Sequence, residues 1–431
     1  MKKSLIAVAV LGAFAGAAHA ADQSQPNVTI YGILDVGVAQ MTNAGNFSNF
    51  VTGAVPTGSA NSARIGTVRG MMNGGESQTR LGLKGSEDLG GGYKAFFQLE
   101  NAFSLGNGQI ATSGLAGGGG NNPAMVADTS LNGQLFNRMA LVGISGEEMG
   151  AFSFGRQYNL ALDVIGSVGG GYDPVNAQMF SPINFSGFYG GGGETDNARV
   201  DNAIKYAKSF GKIKVNAMYG MGGVATHTSA RSNTQLNVGY EGDQFGVEAV
   251  ALHASDTTAL SAGTAGTNNV NVTFVNLDSE MLAARYTVAE PVTLKAGYER
   301  VKISAPTNYN ADSQMTQIYG YNIGTNAAFV GQKIVNVYWL GANITTSEAS
   351  KLSLGIYDAK TPAYTGTGSV AGATGDDRYY SIMWEYNLSK KTNFYAAAMK
   401  DHKSGGLLVA ATGAGSITDF NTYGAGLRVK F

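Results

Sequence analysis

TYGAGLRVKF, residues Thr422 to Phe431, is the stretch that decides the fold class. Tyr423, Ala425, Leu427, Val429 and Phe431 alternate without a break with Thr422, Gly424, Gly426, Arg428 and Lys430. Successive side chains of an extended chain point to opposite faces, so the segment predicts a strand with one oily face and one wet face. About ten residues, tilted, is also the length at which a strand crosses a bilayer.

The same period recurs inside the chain. Ile213, Val215, Ala217 and Tyr219 stand against Lys212, Lys214 and Asn216; Leu282, Ala284, Tyr286 and Val288 against Ala283, Arg285 and Thr287; Val292, Leu294, Ala296 and Tyr298 against Thr293, Lys295 and Glu299. A soluble sandwich alternates too, so the compartment has to be read elsewhere. Lys2 and Lys3 precede an apolar stretch, Leu5 to Ala18, that ends in the small-residue site Ala18-His19-Ala20. This predicts a secretory signal peptide over 1–20 and a mature chain from Ala21, because the stretch is shorter than the ~20 residues of a helical span and ends in cleavage chemistry. No later segment approaches 18 continuous apolar residues, yet 44% of the chain is hydrophobic. Without spanning helices, only a closed barrel pairs every backbone N–H and C=O inside lipid.

Composition narrows the class further. Cys is absent, which argues against a small disulfide-stapled secreted domain. Only 14% of residues are charged, Gly numbers 62 and Pro 8, a mixture that suits glycine-rich loops and strands better than helices. The formal net charge is -1; with Lys2 and Lys3 gone, 27 bases face 30 acids, too little charge to suggest a nucleic-acid partner.

Short turn signals at 85–92, 145–150, 209–211, 241–243, 289–291, 345–350 and 387–391 each join two alternating segments and mark hairpins. Seven hairpins, with a first strand at 28–39 and a last at 421–431, predict an all-β, 16-stranded antiparallel transmembrane barrel. Eight long segments lie between the hairpins, roughly 41–77, 104–134, 157–198, 221–233, 253–278, 303–331, 358–378 and 401–419, and are rich in Gly, Ser, Thr and Asn. Short turns on one side and long loops on the other match the asymmetry of bacterial outer-membrane barrels. About 16 strands enclose an aqueous lumen.

Other motifs carry no chemistry. Gly220-Met-Gly-Gly-Val-Ala225 fits a dinucleotide pattern, but the residues after it lack the helical apolar period that a pyrophosphate site needs. His227, His253 and His402 are expected singly in or beside external loops, without H-x-x-x-H spacing, and no G-x-S-x-G elbow occurs. No cofactor, metal or catalytic residue is expected.

These residues resemble the general trimeric porins of Gram-negative bacteria, of the beta-proteobacterial type. The matching segments are VTIYGILDVGV from Val28, TRLGLKGSEDLGGGYKAFFQLE from Thr79, Asn137-Arg138 with Leu141-Val-Gly143, Gly155-Arg-Gln157, Arg199 with Asp201 to Tyr206, YNLSKKT from Tyr386, and GLRVKF from Gly426. The resemblance implies a homotrimer and a third long loop, 157–198, folded into the lumen as a constriction. It implies wall bases at Arg80, Arg138 and Arg199, loop acids for which Asp163 and Asp173 are the nominees, and Phe431 as part of the signal read by the barrel insertion machinery. Parity with Lys84 and with Lys205 turns Arg80 and Arg199 toward the lumen, whereas Arg138 shares parity with Ala140, Val142 and Ile144 and its facing stays open.

The function expected is passive, non-enzymatic diffusion of small hydrophilic solutes and ions through the outer membrane. A solute-specific channel would use an aromatic track, for which Tyr172, Phe180, Phe185, Phe188 and Tyr189 are candidates. A barrel enzyme would need a Ser or Asp placed against one of the three mature histidines.

Overall fold

The computed structural model describes residues 27–44, 66–106, 108, 110, 135–166, 171–182, 199–262, 269–312, 315–318, 321–364, 366–367, 374–407, 409–411 and 415–431. The expected signal peptide at 1–20, and Phe185, Phe188 and Tyr189, lie outside the described residues.

Sixteen strands make the wall. The first eight are β1 (Asn27–Ala44), β2 (Arg80–Gly90), β3 (Tyr93–Ala102), β4 (Met139–Gly146), β5 (Gly150–Tyr158), β6 (Arg199–Phe210), β7 (Ile213–Gly220) and β8 (Asn233–Glu241). The other eight are β9 (Phe245–Ala262), β10 (Asn269–Ala289), β11 (Val292–Ser304), β12 (Val330–Ser347), β13 (Ser350–Thr361), β14 (Gly375–Asn387), β15 (Thr392–Lys403) and β16 (Asp419–Lys430). Each pairs antiparallel with the next along the chain. β16 returns to β1, from Ile33↔Lys430 to Met41↔Thr422, and closes the barrel. Closure removes the two edges that lipid would not tolerate. All seven predicted hairpins form.

The alternation sorts side chains as the sequence predicts. In β16 Leu427 is 41% exposed on the outward face, while Thr422 on the inward face is 4% exposed. Outward Leu282, Leu340 and Val38 are exposed, and inward Glu248, Lys295 and Glu299 are buried.

Two expected loops are corrected. The segment expected as loop at 253–278 is mostly wall: β9 and β10 stay paired up to Ala262↔Val270, with one irregularity between Ala254 and Thr257. Within 41–77, Gly66–Asn73 is a strand that extends the β1 ladder above β2. Polar strand residues that stand above the lipid read as loop because their alternation is lost, while the backbone ladder continues. His253 and His402 accordingly sit on β9 and β15, paired with Asp278 and Asp419. Among the described residues the only parallel pairing sets Asn269–Phe274 beside Asn322–Ala328, above the end of β11.

Between Asn73 and Arg80 the chain leaves the ladder and is gathered by one buried side chain. Asp35 accepts from the amides of Glu76 (3.0 Å) and Ser77 (2.6 Å) and from the Tyr395 hydroxyl (2.6 Å). The Tyr395 ring crosses Gly426 to get there, and a Cβ at Gly426 would lie 2.3 Å from its hydroxyl. One glycine of the deciding strand is therefore set by close approach of a neighbour.

Candidate functional site: an arginine cluster facing a lining segment

β5 ends at Tyr158, and Asn159 caps a short helix, α1 (Leu160–Ile165), its side chain accepting from Leu162 N at 2.6 Å. From there the described part of 157–198 runs along the inward face of the wall. The Leu160 amide donates to Gln235 on β8 (2.7 Å), Tyr172 OH donates to Glu241 (3.1 Å), and Lys295 on β11 donates to the Asp173 carbonyl (3.1 Å). Trp339 on β12 donates to the Tyr172 carbonyl (3.0 Å), and Asn343 on the same strand to the Pro174 carbonyl (2.6 Å). The run ends against the 74–79 segment, where the amides of Gln178 and Met179 donate to the carbonyls of Glu76 and Gly75, both at 3.0 Å. Gly341 and Gly424 clear its path: a Cβ would meet Pro174 at 2.4 Å in the first and Phe180 at 2.9 Å in the second.

This lining segment explains apolar side chains on the inward face. Leu160, Ile165 and Phe180 are fully buried in one cluster with Val250, Leu252, Val337 and Trp339. Such burial stabilises the segment by about 1.5–3 kcal/mol per large side chain. Runs that are apolar on both faces, such as Val337 to Leu340, are the sequence signal for an inner cover.

The three predicted arginines converge on the other arc, at the loop-side ends of β2 to β6. Arg138 Nε donates to Glu100 of β3 at 2.6 Å, and Arg80 Nη1 stands 3.9 Å from the same carboxylate. Arg138 and Arg199 both lie over the Tyr158 ring, 5.5 and 5.2 Å from its centroid, within the range of cation–π attraction. Arg138 also donates to Gln78 and to the Tyr158 hydroxyl. Its open facing is resolved because it precedes β4 in an irregular turn, so strand parity does not apply to it. Tyr31 OH adds a bond to Glu100 at 2.9 Å, and Arg156 pairs with Asp201 at 2.6 Å. Glu100 and Tyr158 carry no motif of their own in the sequence; the one local signal is the inward parity that Glu100 shares with Gln98.

Neither nominated acid pairs with these arginines among the described residues. Asp163 pairs with Lys205 of β6. Asp173 is 0% exposed and faces none of the three arginines: its carboxylate accepts from Tyr357 OH (2.6 Å), the Val175 amide (3.2 Å) and the Ser181 hydroxyl. Burial pushes the Asp173 carboxyl up, opposed by the Ser181 and Tyr357 hydroxyls. The sequence pattern treats an acid in an inward loop as lumen-facing, but this one ties the loop to the wall. Tyr172 and Phe180 are likewise buried as anchors.

Sixteen strands, two-faced alternation and a polar inward cluster now stand together, and the Gram-negative porin model matches residues 7–406. The chain belongs to the Gram-negative porin family. An outer membrane porin protein of Bordetella pertussis is 29% identical, covering 92% of this chain and 93% of that protein. The anion-selective porin from Comamonas acidovorans superposes with a TM-score of 0.63 at 21% identity, over 94% of this chain and 100% of that one. The trimer form of OmpT, an outer membrane protein of Vibrio cholerae, gives 0.57 at 15% identity, over 95% and 100%. This porin is an outer-membrane barrel.

Proposed function

We propose that this porin is a water-filled, non-enzymatic diffusion channel for small hydrophilic solutes and ions, whose narrowest section lies between the Arg80, Arg138 and Arg199 wall and the segment within 157–198. One observation carries the reading: the lining segment bonds to inward side chains from β8 to β13 and to the 74–79 turn, while the arc of β2 to β6 holds three guanidinium groups around Glu100. Excess positive charge at a narrow section favours anions. The Comamonas acidovorans protein that shares this fold is an anion-selective porin, which supports the same reading.

Arg80→Ala or Arg199→Ala is expected to raise the cation-to-anion permeability ratio roughly twofold or more, read as reversal potential in a salt gradient. Unchanged potentials in both variants would remove these residues from the constriction.

The non-enzymatic reading also has a physical basis. His253 joins Ser255 Oγ (3.0 Å) to Asp278 (2.6 Å), the hydrogen-bond order of a nucleophile relay. The nearby amides that would serve an oxyanion are already spent: Ser255 N donates to the Ser232 carbonyl and Asp256 N to Asn276 Oδ1, both at 2.8 Å.

For assembly, the proposal is a homotrimer whose insertion machinery reads the last strand. Phe431 exchanges backbone hydrogen bonds with Gly32 at 3.2 Å, so it is the final rung of closure. Deleting Gly426 to Phe431 is expected to abolish heat-modifiable trimers in the outer membrane, and normal trimer yield would refute the role.

A further inference from the structure

Tyr31 of β1 joins the arginine cluster to a cation outside it. Its hydroxyl donates to Glu100 at 2.9 Å and accepts from Gln98 Nε2 at 2.6 Å, while the Lys84 ammonium lies over its ring, 5.2 Å from the centroid. The ring crosses β2 at Gly82, where a Cβ would lie 2.3 Å from its Cζ. Arg80, Gly82 and Lys84 share the inward face of β2, and Gln98 of β3 is the cross-strand neighbour of Lys84. Four residues at about 3.3 Å each place Lys84 roughly 13 Å from Arg80, on the side of the short turns.

Lys84 keeps a charge that four other inward lysines give up. Lys205, Lys214 and Lys351 each meet a carboxylate, and Lys295 is buried against two backbone carbonyls. Lys84 is exposed to the lumen and forms no ion pair among the described residues; its recorded contact is the Tyr31 ring. A ring face attracts an ammonium without cancelling its net charge, whereas a carboxylate cancels it. The field of Lys84 therefore reaches the water beside it.

We propose that Lys84 is a second station for small inorganic and carboxylate anions, on the short-turn side of the constriction, and sets the anion preference together with the arginines. Conduction needs binding strong enough to draw an ion in and weak enough, or shared enough between sites, to let it leave. A guanidinium offers a fixed fork of donors that holds an oxyanion in two places, whereas an ammonium is a compact, strongly hydrated point charge. The step from Arg80 to Lys84 is thus a step from tighter to looser binding, and an anion leaving the arginines meets a cation before it meets an unpaired acid. The inference deepens the reading of the arginine wall as the narrow section.

The chain contains no Cys, so Lys84→Cys carries a single thiol and allows the charge to be removed and returned. In planar bilayers with dilute potassium chloride, its chloride conductance is expected to fall about twofold. Aminoethyl methanethiosulfonate, which puts an ammonium back on the thiol, should restore the conductance, and sulfonatoethyl methanethiosulfonate, which adds an anion, should lower it further. These differences should shrink between about 0.1 M and about 1 M salt, as the screening length falls from about 10 Å to about 3 Å. Lys84→Gln should repeat the loss while keeping the sugar cutoff of the parent channel, which separates this station from the narrowest section. An unchanged chloride conductance, an unreactive thiol, equal changes with both reagents, or a loss undiminished at high salt would overturn the station. The reversal potentials of Arg80→Ala and Arg199→Ala report on the constriction separately. Shifted potentials there with no effect at Lys84 remove the station alone; unchanged potentials with a charge-dependent effect at Lys84 keep the station and move the narrow section elsewhere.

Discussion

Two polar clusters lie buried on opposite arcs of the wall, and they are balanced in opposite ways. At Asp173, one carboxylate is met by the hydroxyls of Ser181 and Tyr357 and the Val175 amide, while Lys295 is spent on backbone carbonyls. At Glu100, one carboxylate is met by Arg138 and Arg80, with Arg199 stacked on the Tyr158 ring beside them. Matched donors and acceptors in a dry site fix a chain in place. Among the described residues the second cluster carries more bases than acids, with Arg80 still 18% exposed at its side chain, and surplus charge of one sign acts on passing ions instead. The comparison teaches that inward polarity in a barrel divides into fastening and field, and that a list of inward charged residues cannot separate the two.

The comparison breaks most visibly at the fastening. Asp173→Ala leaves the Ser181 and Tyr357 hydroxyls without this acceptor, at about 1–3 kcal/mol each, while the Val175 amide keeps its 3.3 Å contact to the Tyr357 hydroxyl. The expected outcome is a higher single-channel conductance and a larger sugar cutoff in liposome swelling, with Tyr357→Phe moving both in the same direction by less. An unchanged cutoff in Asp173→Ala would mean that this anchor does not hold the narrowest section.

A smaller effect of defined sign tests the field. Glu100→Gln removes the acid from among the arginines, so the cation-to-anion permeability ratio should fall, roughly twofold, opposite to the change expected for Arg80→Ala. Reversal potentials that shift the same way in both variants would show that the cluster acts through structure and not through charge. The smallest effect is expected at Lys212, whose partner Asp243 sits beside it in an exposed turn. Lys212→Ala should leave selectivity and cutoff within error, and a shift there would mean that selectivity follows total charge.

How much of this was legible in the sequence can be followed through particular residues. Leu427 and Thr422 declare their faces by parity alone, because a wall strand has lipid on one side and the lumen on the other, and a slip of one residue would exchange them. Arg80 and Arg199 were legible for the same reason. Arg138 was not, because it stands in a turn where period two fails. His253 reads as a loop residue because it stands where apolar alternation stops, and only the register with Asp278 shows the strand continuing. Asp173 misled because sequence records that a carboxylate is present and not what surrounds it; its partners Tyr357 and Ser181 lie on another strand and beyond a turn.

The sequence by itself determined the strand count, the turns, the two faces and the membrane, because each follows from local period and from the backbone's need for partners inside lipid. Tertiary structure alone decided which inward charges meet. The meeting of Glu100 with Arg138, of Tyr395 with Asp35 across Gly426, and of Trp339 with the Tyr172 carbonyl depends on barrel closure and on a segment laid across strands far away in the chain. Those distances are set by register and circumference, which no local stretch of sequence contains.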